Sequence, residues 1–525
     1  MIQLKTQTRE YWESDFTLKD GDFDQLYNHF LEVGSPQTTS EITRVIIAFR
    51  LAEERAELSR RLSGRIVYQP QAKYQVADAL VFAALNYSYG EVVAERDGHN
   101  PELGEFKVIT VEVNGKRRQF AAELKTSHVL NLGQADVQSL IETISADDIY
   151  ARYGQIVEQR VVKSLQAREE LVFLGGEWLI KPLLADINIG HLHLAEAVLD
   201  MTAGGPLKTD EMIVHLDLDP GVNQRSQRFS LNYYLLHDER FDEVAPRGQV
   251  AWFLRRLEPE AVKTCAERLV YKPLVYDRAL LAAPLLALER ELSDEWSDLE
   301  VAVETTSVTF PVIYPHRLVG TLPLNSRLRK LLPIGRSPRQ LLTFHDAQTG
   351  QALQVWVVEA VRYIYGLRDW FDANGIPVGA MLTVRATATP GEFELDYDRR
   401  RPQREDVRLA TIEDNRIHFE LDRRRVACGY DELMIVGTDY AAAVDGLWRR
   451  YQSQQRSLTS ILVDLLPELA RLSLQGAVHA KTLYSALNMV RRVPPGPMFA
   501  ELIRHPAFQS VGDHYWRFDS KRWQQ

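Results

Sequence analysis

Apolar and polar positions alternate along this chain with two different periods, and the two periods predict helices and strands. Residues 191–201 carry apolar side chains at helical spacing and stop at Gly204, which predicts an amphipathic helix. A short helix is expected over 210–215 and a third over 223–237, followed by two strand-like runs around a glycine turn within 241–253. The pattern therefore predicts three helices followed by a β-hairpin.

The hairpin pattern occurs three times. A phenylalanine, a glycine turn and a tryptophan follow one another as Phe241, Gly248 and Trp252, as Phe508, Gly512 and Trp516, and, in a tighter turn, as Phe173, Gly175 and Trp178. An isolated hairpin is marginally stable in water, so an aromatic side chain from each strand is expected to pack against the preceding helices. A fourth, divergent case is predicted in residues 1–70, where the runs 66–68 and 74–76 would form the hairpin.

Helix triplets followed by an aromatic hairpin resemble winged helix-turn-helix domains, including the HARE-type family of bacterial RNA polymerase accessory subunits and restriction-associated proteins. The resemblance implies winged-helix units at 1–70 (divergent), 129–182, 186–258 and 455–525, with DNA contact through the third helix of a unit. The alternative is a generic helical bundle with hairpins.

Residues 71–128 change to strand patterns, and Asn114-Gly115 between two alternating runs predicts a hairpin. The order of short strands and turns resembles SH3-like barrels of the KOW type, which implies contact with a polymerase, a ribosome or a nucleic-acid backbone. A plain packing module is an equally good interpretation.

A second β-rich module is expected at 265–450. Within 300–440, the Leu322-Pro323 pair and the turn at 346–350 resemble the plant auxin-response-type DNA-binding barrel and its bacterial restriction-enzyme relatives. The chain departs from that pattern in two places, because three residues separate Gly366 from Trp370 and Ala380 stands where an acidic residue is usual. That resemblance implies that loops contact DNA. The predicted fold class is therefore α+β multidomain, with several winged-helix units and two small β-barrel-like modules.

The helix predicted over 223–237 carries the best candidate for reading bases. At 100° per residue Phe229, Tyr233 and Leu236 form one stripe, predicted to be buried, and the polar side chains fall opposite it. The predicted DNA-binding residues are Gln224, Gln227, Arg228 and Asn232 on this helix, Arg247 at the wing tip, and Arg327, Arg329, Lys330, Arg336 and Arg339 in the second β-rich module. The alternative is a set of solvated polar surfaces.

Composition limits these expectations. A chain of 525 residues with 45% apolar and 26% charged residues is long enough for several domains. Its net charge of −10 means that DNA contact requires local basic patches, and it is equally compatible with a protein-only partner. The basic runs 399–401 and 423–425 are interrupted by acids, so they are expected to be solvated. The apolar helix predicted at 497–504 favours packing or partner binding.

Motifs of enzymes are scarce. The sequence has no phosphate loop, no nucleophile elbow and no zinc-protease motif, and no cofactor or metal site is predicted. Glu123-Leu-Lys125 is similar to the acid-and-lysine motif of restriction-type nucleases, with Asp78, Glu91 or Glu102 as the upstream acid. A magnesium-dependent nuclease is therefore retained as an alternative.

The leading expectation is a non-catalytic DNA-binding protein, a transcription regulator or genome-associated adaptor. The first alternative is an interaction scaffold whose partner is RNA polymerase or another protein. No apolar run is long enough to span a membrane, the first residues lack an apolar signal core, and the two cysteines, Cys265 and Cys428, fit a reducing compartment. We expect a cytoplasmic location, with a nucleoid-associated one as the alternative.

Overall fold

The computed structural model describes residues 4–85, 88–100, 104–131, 144–297, 299, 305–335, 337–389 and 391–523. These residues combine helices with several separate sheets, which confirms the predicted α+β class. The chain divides into two compact units, Met1–Ile187 with Leu218–Tyr233, and Asn188–Asp217 with Tyr234–Gln525. Among the described residues no helix has both the length and the apolar character that crossing a membrane requires.

The first unit starts with helices, continues with a five-stranded sheet and ends with a helix and a hairpin. Its elements are α1 (Asp20–Val33), β1 (Gln37–Thr38), α2 (Thr39–Leu62), β2 (Ile66–Val67), β3 (Ala79–Phe82), β4 (Ser88–Asp97), β5 (Lys107–Val113), β6 (Lys116–Ala122), α3 (Ala146–Leu165), β7 (Leu171–Leu174) and β8 (Glu177–Ile180). Strand β1 pairs with β8, and β8 pairs with β7.

This pairing corrects the prediction of two separate units at 1–70 and 129–182. Strand β1 joins the sheet of the β7–β8 hairpin, and helices α1, α2 and α3 pack around the same core. Trp12, Phe30 and Trp178 are fully buried in this core. Local patterns could not show this, because the two halves are separated in sequence by the five-stranded sheet. Two hydrogen bonds between Thr38 and Glu41 form a capping box that starts α2.

The five-stranded sheet has the strand order β2-β3-β4-β5-β6 and is inserted between α2 and α3. Strand β2 pairs with β3, so residues 66–68 belong to this sheet and do not form the hairpin predicted for 1–70. The predicted Asn114-Gly115 turn is confirmed between β5 and β6. After β6 the backbone N–H groups of Glu123 and Leu124 donate to the carbonyls of Ala72 and Pro70, at 3.0 and 2.9 Å, which bends the sheet onto itself.

Six elements follow in chain order: α4 (Ile189–Met201), β9 (Leu207–Lys208), α5 (Thr209–Ile213), α6 (Gln224–Leu236), β10 (Phe241–Glu243) and β11 (Ala251–Leu254). The boundary between the two units lies inside α6, between Tyr233 and Tyr234. The three strands form a sheet of order β10-β11-β9 in the second unit. The helices predicted over 210–215 and 223–237 are confirmed to within two residues.

The second unit continues with a large sheet and short helices. They are α7 (Glu260–Lys263), α8 (Ala283–Leu292), β12 (Ser307–Pro311), α9 (Tyr314–Val319), β13 (Thr321–Pro323), α10 (Ser326–Leu331), β14 (Arg339–Asp346), β15 (Ala352–Val358), β16 (Tyr363–Tyr365), α11 (Arg368–Ala373), β17 (Met381–Ala386) and β18 (Glu392–Tyr397). The seven strands form a half-barrel of order β12-β17-β18-β14-β15-β16-β13. The predicted turn at 346–350 is confirmed: the buried Asp346 accepts hydrogen bonds from the Gln348 N–H and from Trp370 Nε1.

The chain ends with a long hairpin and a second helical section. These elements are β19 (Arg399–Glu413), β20 (Arg416–Cys428), β21 (Val436–Gly437), α12 (Ala441–Ser453), α13 (Leu458–Ala470), β22 (Val478–His479), α14 (Ala480–Val490), α15 (Pro495–Arg504), β23 (Phe508–Gly512) and β24 (Tyr515–Phe518). Strands β22, β24 and β23 form the last sheet, in the order β22-β24-β23.

The same element order occurs three times: helix, short strand, helix, helix, hairpin. We call residues 20–62 with 145–180 the first repeat, residues 189–254 the second and residues 458–518 the third. In each repeat the short strand pairs with the second hairpin strand, and the hairpin tryptophan is buried. The tryptophan lies opposite the first residue of the short strand in the pairs Gln37 and Trp178, Leu207 and Trp252, and Val478 and Trp516.

Candidate nucleic-acid interface

The winged-helix resemblance predicts DNA-reading side chains on the third helix of a repeat, which in the second repeat is α6. Gln224 is exposed and Arg228 is half-buried, whereas Gln227 and Asn232 are buried. The Gln227 amide donates to the carbonyl of Asp219 at 2.7 Å. The prediction that Gln227 and Asn232 face outward is therefore wrong.

The predicted apolar stripe of α6 is also only partly right. Phe229 is buried and Tyr233 is half-buried, but Leu236 is 54% exposed. The small side chains of Ser226 and Ser230 are buried as well, so α6 has contacts on more than one side. A helical wheel with a single buried stripe does not describe such a helix.

The first repeat covers the N-terminal half of α6 within the first unit. Arg225 donates to Glu177 on β8 at 2.8 Å, and the Ser226 hydroxyl donates to the carbonyl of Gly34 at 2.9 Å. Phe229 belongs to the core of the first repeat, and the Ser230 hydroxyl accepts the N–H of Ala185 at 2.8 Å. The N-terminal half of the helix predicted to enter a groove is instead packed against the first repeat.

Arg247 is exposed, as predicted, in the turn between β10 and β11. Its backbone N–H donates to the carbonyl of Pro333 at 3.1 Å, so the turn is attached to the loop after α10 within the second unit. The Arg247 side chain remains available at this tip.

The predicted basic residues of the second β-rich module lie mainly on a helix and a strand, and not in loops. Arg327, Arg329 and Lys330 belong to α10, and Arg339 begins β14. Arg327 donates to the Ser293 hydroxyl at 2.7 Å, and burial lowers its pKa. Lys330 is exposed, the Arg329 Nε is buried, and Arg336 lies outside the described residues.

Arg339 is held between two acidic side chains. One of its terminal nitrogens lies 2.6 Å from Asp242 and 2.9 Å from Glu258, and Asp242 also accepts from Arg255 at 2.6 Å. Burial raises the pKa of Glu258 to about 8, and the neighbouring Asp242 acts in the same direction. Arg339 therefore connects β14 to the second repeat. Because its guanidinium already contacts two acidic side chains, Arg339 is a poor candidate for binding DNA.

The third helix of the third repeat, α15, is covered by the chain itself. Residues 495–502 are buried, and α15 packs against α8. A Cβ atom at Gly496 would lie 2.5 Å from the Tyr276 hydroxyl and 3.1 Å from a Glu289 carboxyl oxygen, which shows how closely this helix is covered. The sequence-based view of this helix as a packing surface agrees with this arrangement.

The first repeat differs from the other two, because its third helix presents an exposed polar stripe. Exposed residues recur on α3 at intervals of three and four and comprise Arg152, Gln155, Gln159, Lys163 and, at the C-cap, Gln166. At 100° per residue these five positions span about 80° of the helix surface. Ile149, Val157, Val161 and Leu165 face the core.

The stripe on α3 carries the residue types that contact nucleic acid. Glutamine amides can read base edges, and arginine and lysine neutralise phosphates. Among the described residues neither Arg152 nor Lys163 forms an ion pair with a carboxylate. This stripe was not predicted from the sequence, although the spacing of Arg152, Gln155, Gln159 and Lys163 was the available signal.

The nuclease alternative receives no geometric support. Glu123 lies 3.8 Å from Lys73, while Lys125 lies 3.9 Å from Glu105. Asp78 accepts the N–H of Gln75 and closes a local turn, and Glu102 lies outside the described residues. In the described part of the chain no group of three His, Cys, Asp or Glu side chains could hold a metal ion.

A cavity of about 280 Å³ lies beside the start of α14 in the second unit. His479 lines this cavity, and its Nδ1 accepts the N–H of Lys481, so the proton of the neutral imidazole is on Nε2. The Lys481 ammonium contacts Asp431 at 2.7 Å and also contacts Glu291. Two carboxylates therefore compensate the charge of Lys481 beside the cavity.

Comparisons with protein-family models, with curated proteins and with solved structures find no match to this chain.

Proposed function

We propose that this chain is a non-catalytic DNA-binding protein, a transcription regulator or genome-associated adaptor, which contacts duplex DNA through α3 of the first repeat. The proposal treats the three repeats as winged-helix units, the sheet of β2 to β6 as a small barrel, and the half-barrel as a module of the DNA-binding-barrel type. The observation that carries it is the exposed stripe of Arg152, Gln155, Gln159 and Lys163 on the third helix of a repeat.

The third helices of the other two repeats are less suited to DNA contact than α3. Residues of α6 and α15 that would have to reach a groove are in contact with the chain itself. A capping box at Ser145 and Asp148 begins α3, and Asp148 is held there by the Ser145 hydroxyl at 2.6 Å. The stripe is thus presented by a well-defined helix of 20 residues.

The experiment is a titration of labelled duplexes of several sequences with the full chain over a series of salt concentrations. The double variant R152A/K163A should lower affinity for all sequences and reduce the slope of log K against log salt by about 0.9 per lost phosphate contact. The double variant Q155A/Q159A should instead reduce the preference among sequences.

The matched control is K19A/K181A, which removes two exposed positive charges from the same unit outside α3. It should leave both the salt slope and the sequence preference unchanged. Equal losses in R152A/K163A and K19A/K181A would refute the assignment of α3, because they would indicate a response to net charge alone.

A protein-interaction scaffold is the second candidate, with RNA polymerase or another protein as partner. One observation favours it: α4 presents an exposed apolar stripe in which Leu194 is 45% and Met201 is 87% exposed, with Ala197 between them. The double variant L194E/M201E should abolish co-purification of a protein partner that survives nuclease treatment. Retention of that partner would count against the scaffold.

A further inference from the structure

The long hairpin of β19 and β20 collects exposed arginines at the end opposite its turn. The strands are 15 and 13 residues long and are joined at Asp414-Asn415. The exposed arginines at the other end are Arg399, Arg400, Arg401, Arg404, Arg423, Arg424 and Arg425. We call this set the arginine end of the hairpin.

Three of these arginines are neutralised by carboxylates. Arg400 lies 2.8 Å from Asp398, and Arg423 lies 3.4 Å from Asp406. Arg424 contacts Asp422 at 2.6 Å and Asp439 as well.

The remaining four arginines, Arg399, Arg401, Arg404 and Arg425, form no ion pair within 4.0 Å in the part of the chain that the structure describes. The arginine end therefore keeps an excess of positive charge on a protein whose net charge is −10.

Two of the uncompensated arginines oppose each other directly. Arg404 and Arg425 are cross-strand partners, so their side chains leave the same face of the hairpin, with Cβ atoms about 5 Å apart. Like charges in this position destabilise a sheet. A neighbouring irregularity places the three residues 400–402 opposite a single residue of β20, which brings Arg401 to the same end.

We propose that the arginine end binds the phosphate backbone of duplex DNA, with Arg404 and Arg425 as the central pair. This inference rests on the proposed function, since it assigns a second contact surface to the same partner. Two guanidinium groups this close can share one phosphate or hold two neighbouring ones by charge-assisted hydrogen bonds. Contacts of this kind supply affinity and position and carry no sequence information.

The test is the salt dependence of binding of the full chain to random-sequence duplex DNA. The double variant R404A/R425A should reduce the slope of log K against log salt by about 2 and weaken binding about tenfold near physiological salt. The control R416A/R450A removes two exposed arginines elsewhere in the second unit and should leave the slope unchanged. An unchanged slope in R404A/R425A overturns the proposal.

Folding of the variants is followed by thermal melting. The melting temperature of R404A/R425A should equal or exceed that of the parent, because the like-charge pair is removed. If the melting temperature of R404A/R425A falls by several degrees, the variant R404K/R425K is measured as well. This variant keeps both charges, so its slope of log K against log salt should equal that of the parent. A slope that stays reduced overturns the proposal.

The same titration separates this inference from the proposed function. A full chain that binds no duplex overturns both. Binding that responds to R152A/K163A and not to R404A/R425A overturns only the role of the hairpin, and the opposite result overturns only the role of α3. If an acidic polypeptide displaces the duplex at equal charge concentration, the occupant is an acidic protein surface, which also overturns the proposal.

Discussion

Arg492 shows how much a single buried charge depends on its neighbours. Its guanidinium is fully buried and lies 2.7 Å from Asp294 and 2.6 Å from Glu295. Tyr484 donates to Asp294, and His316 lies 3.2 Å from Glu295. Burial by itself would raise the pKa of Glu295, but the charge of Arg492 and the hydrogen bond with His316 outweigh it and bring the pKa to about 2.

Replacing this guanidinium should destabilise the second unit strongly. We expect Arg492→Met to lower the free energy of unfolding by about 3–5 kcal/mol, because it leaves two buried carboxylates without their cation. Urea denaturation followed by circular dichroism measures this. The control Arg504→Ala removes an arginine that is 70% exposed and should change the free energy of unfolding by less than about 1 kcal/mol. Similar effects of the two variants would contradict this account.

His479 makes stability depend on pH in the acid range. Burial lowers its pKa to about 4, and the neighbouring His514 and Lys481 act in the same direction, while Asp431 and Glu291 oppose them. The unfolded chain binds a proton at this side chain near pH 6.5, and the folded chain does not until about pH 4. Acidification through that interval therefore favours unfolding.

The variant His479→Asn should remove this part of the pH dependence. Asparagine can still cap α14 by accepting the Lys481 N–H, but it does not titrate. Between pH 6.5 and 4 the parent should lose up to about 3 kcal/mol more than the variant, and the two profiles should run parallel above pH 7. Parallel profiles over the whole range would show that His479 is not the titrating group.

At the scale of elements, the buried tryptophan is the anchor of each repeat. Trp252 is fully buried on β11, pairs with both neighbouring strands and lies opposite Leu207. The variant Trp252→Ala should lower the free energy of unfolding by about 3–5 kcal/mol, since it leaves a cavity under a three-stranded sheet. The control Tyr440→Ala removes an aromatic that is 60% exposed and should change it by less than about 0.5 kcal/mol. Melting curves followed by circular dichroism compare them.

The elements of the repeats were largely predictable from the sequence. A phenylalanine, a glycine turn and a tryptophan close together in sequence predict each hairpin. The three hairpins are found where they were expected. The helices before them follow from apolar spacing and caps. These features are encoded within about 15 residues, which is the range over which periodicity and turn chemistry act.

The pairing of distant elements was not predictable in this way. Strand β1 has only two residues and joins β8 about 140 positions later, and no local pattern marks that partner. The covering of the start of α6 has the same origin, because residues 34, 41 and 177 contact Arg225 and Ser226 from far along the chain. The exposed stripe on α3 was accessible to a helical wheel, and the packing of α15 was expected from its apolar residues, whereas the covering of α6 was not predictable.

At the scale of the whole molecule, the five-stranded sheet is an insertion between α2 and α3 of the first repeat, which has its own core without the sheet. Its core contains Tyr68, Phe82 and Ile109 and is separate from the core of the first repeat. The two ends of the insertion come back to neighbouring helices, since Arg55 on α2 donates to the carbonyl of Ile144 just before α3 at 2.6 Å. The first repeat should therefore fold without it.

Replacing residues 64–143 by a flexible glycine–serine linker of about six residues tests this. The melting temperature of the first repeat, followed by the fluorescence of the buried Trp12 and Trp178, should shift by less than about 5 °C. The matched control replaces only the hairpin turn Asn114-Gly115 by a linker of equal composition, which leaves both cores in place. Loss of the buried-tryptophan signal in the deletion variant would show that the sheet is required for folding.

The course of the chain through α6 has a consequence for biosynthesis. The first unit is complete only when residues 218–233 return to it, because Phe229 fills part of its core. The ribosome must therefore translate the whole of α4 and α5, which belong to the other unit, before the N-terminal unit can close. Until then the unfinished core of the first repeat is exposed to solvent, and a nascent chain stalled before codon 218 should be sensitive to proteases and a substrate for chaperones.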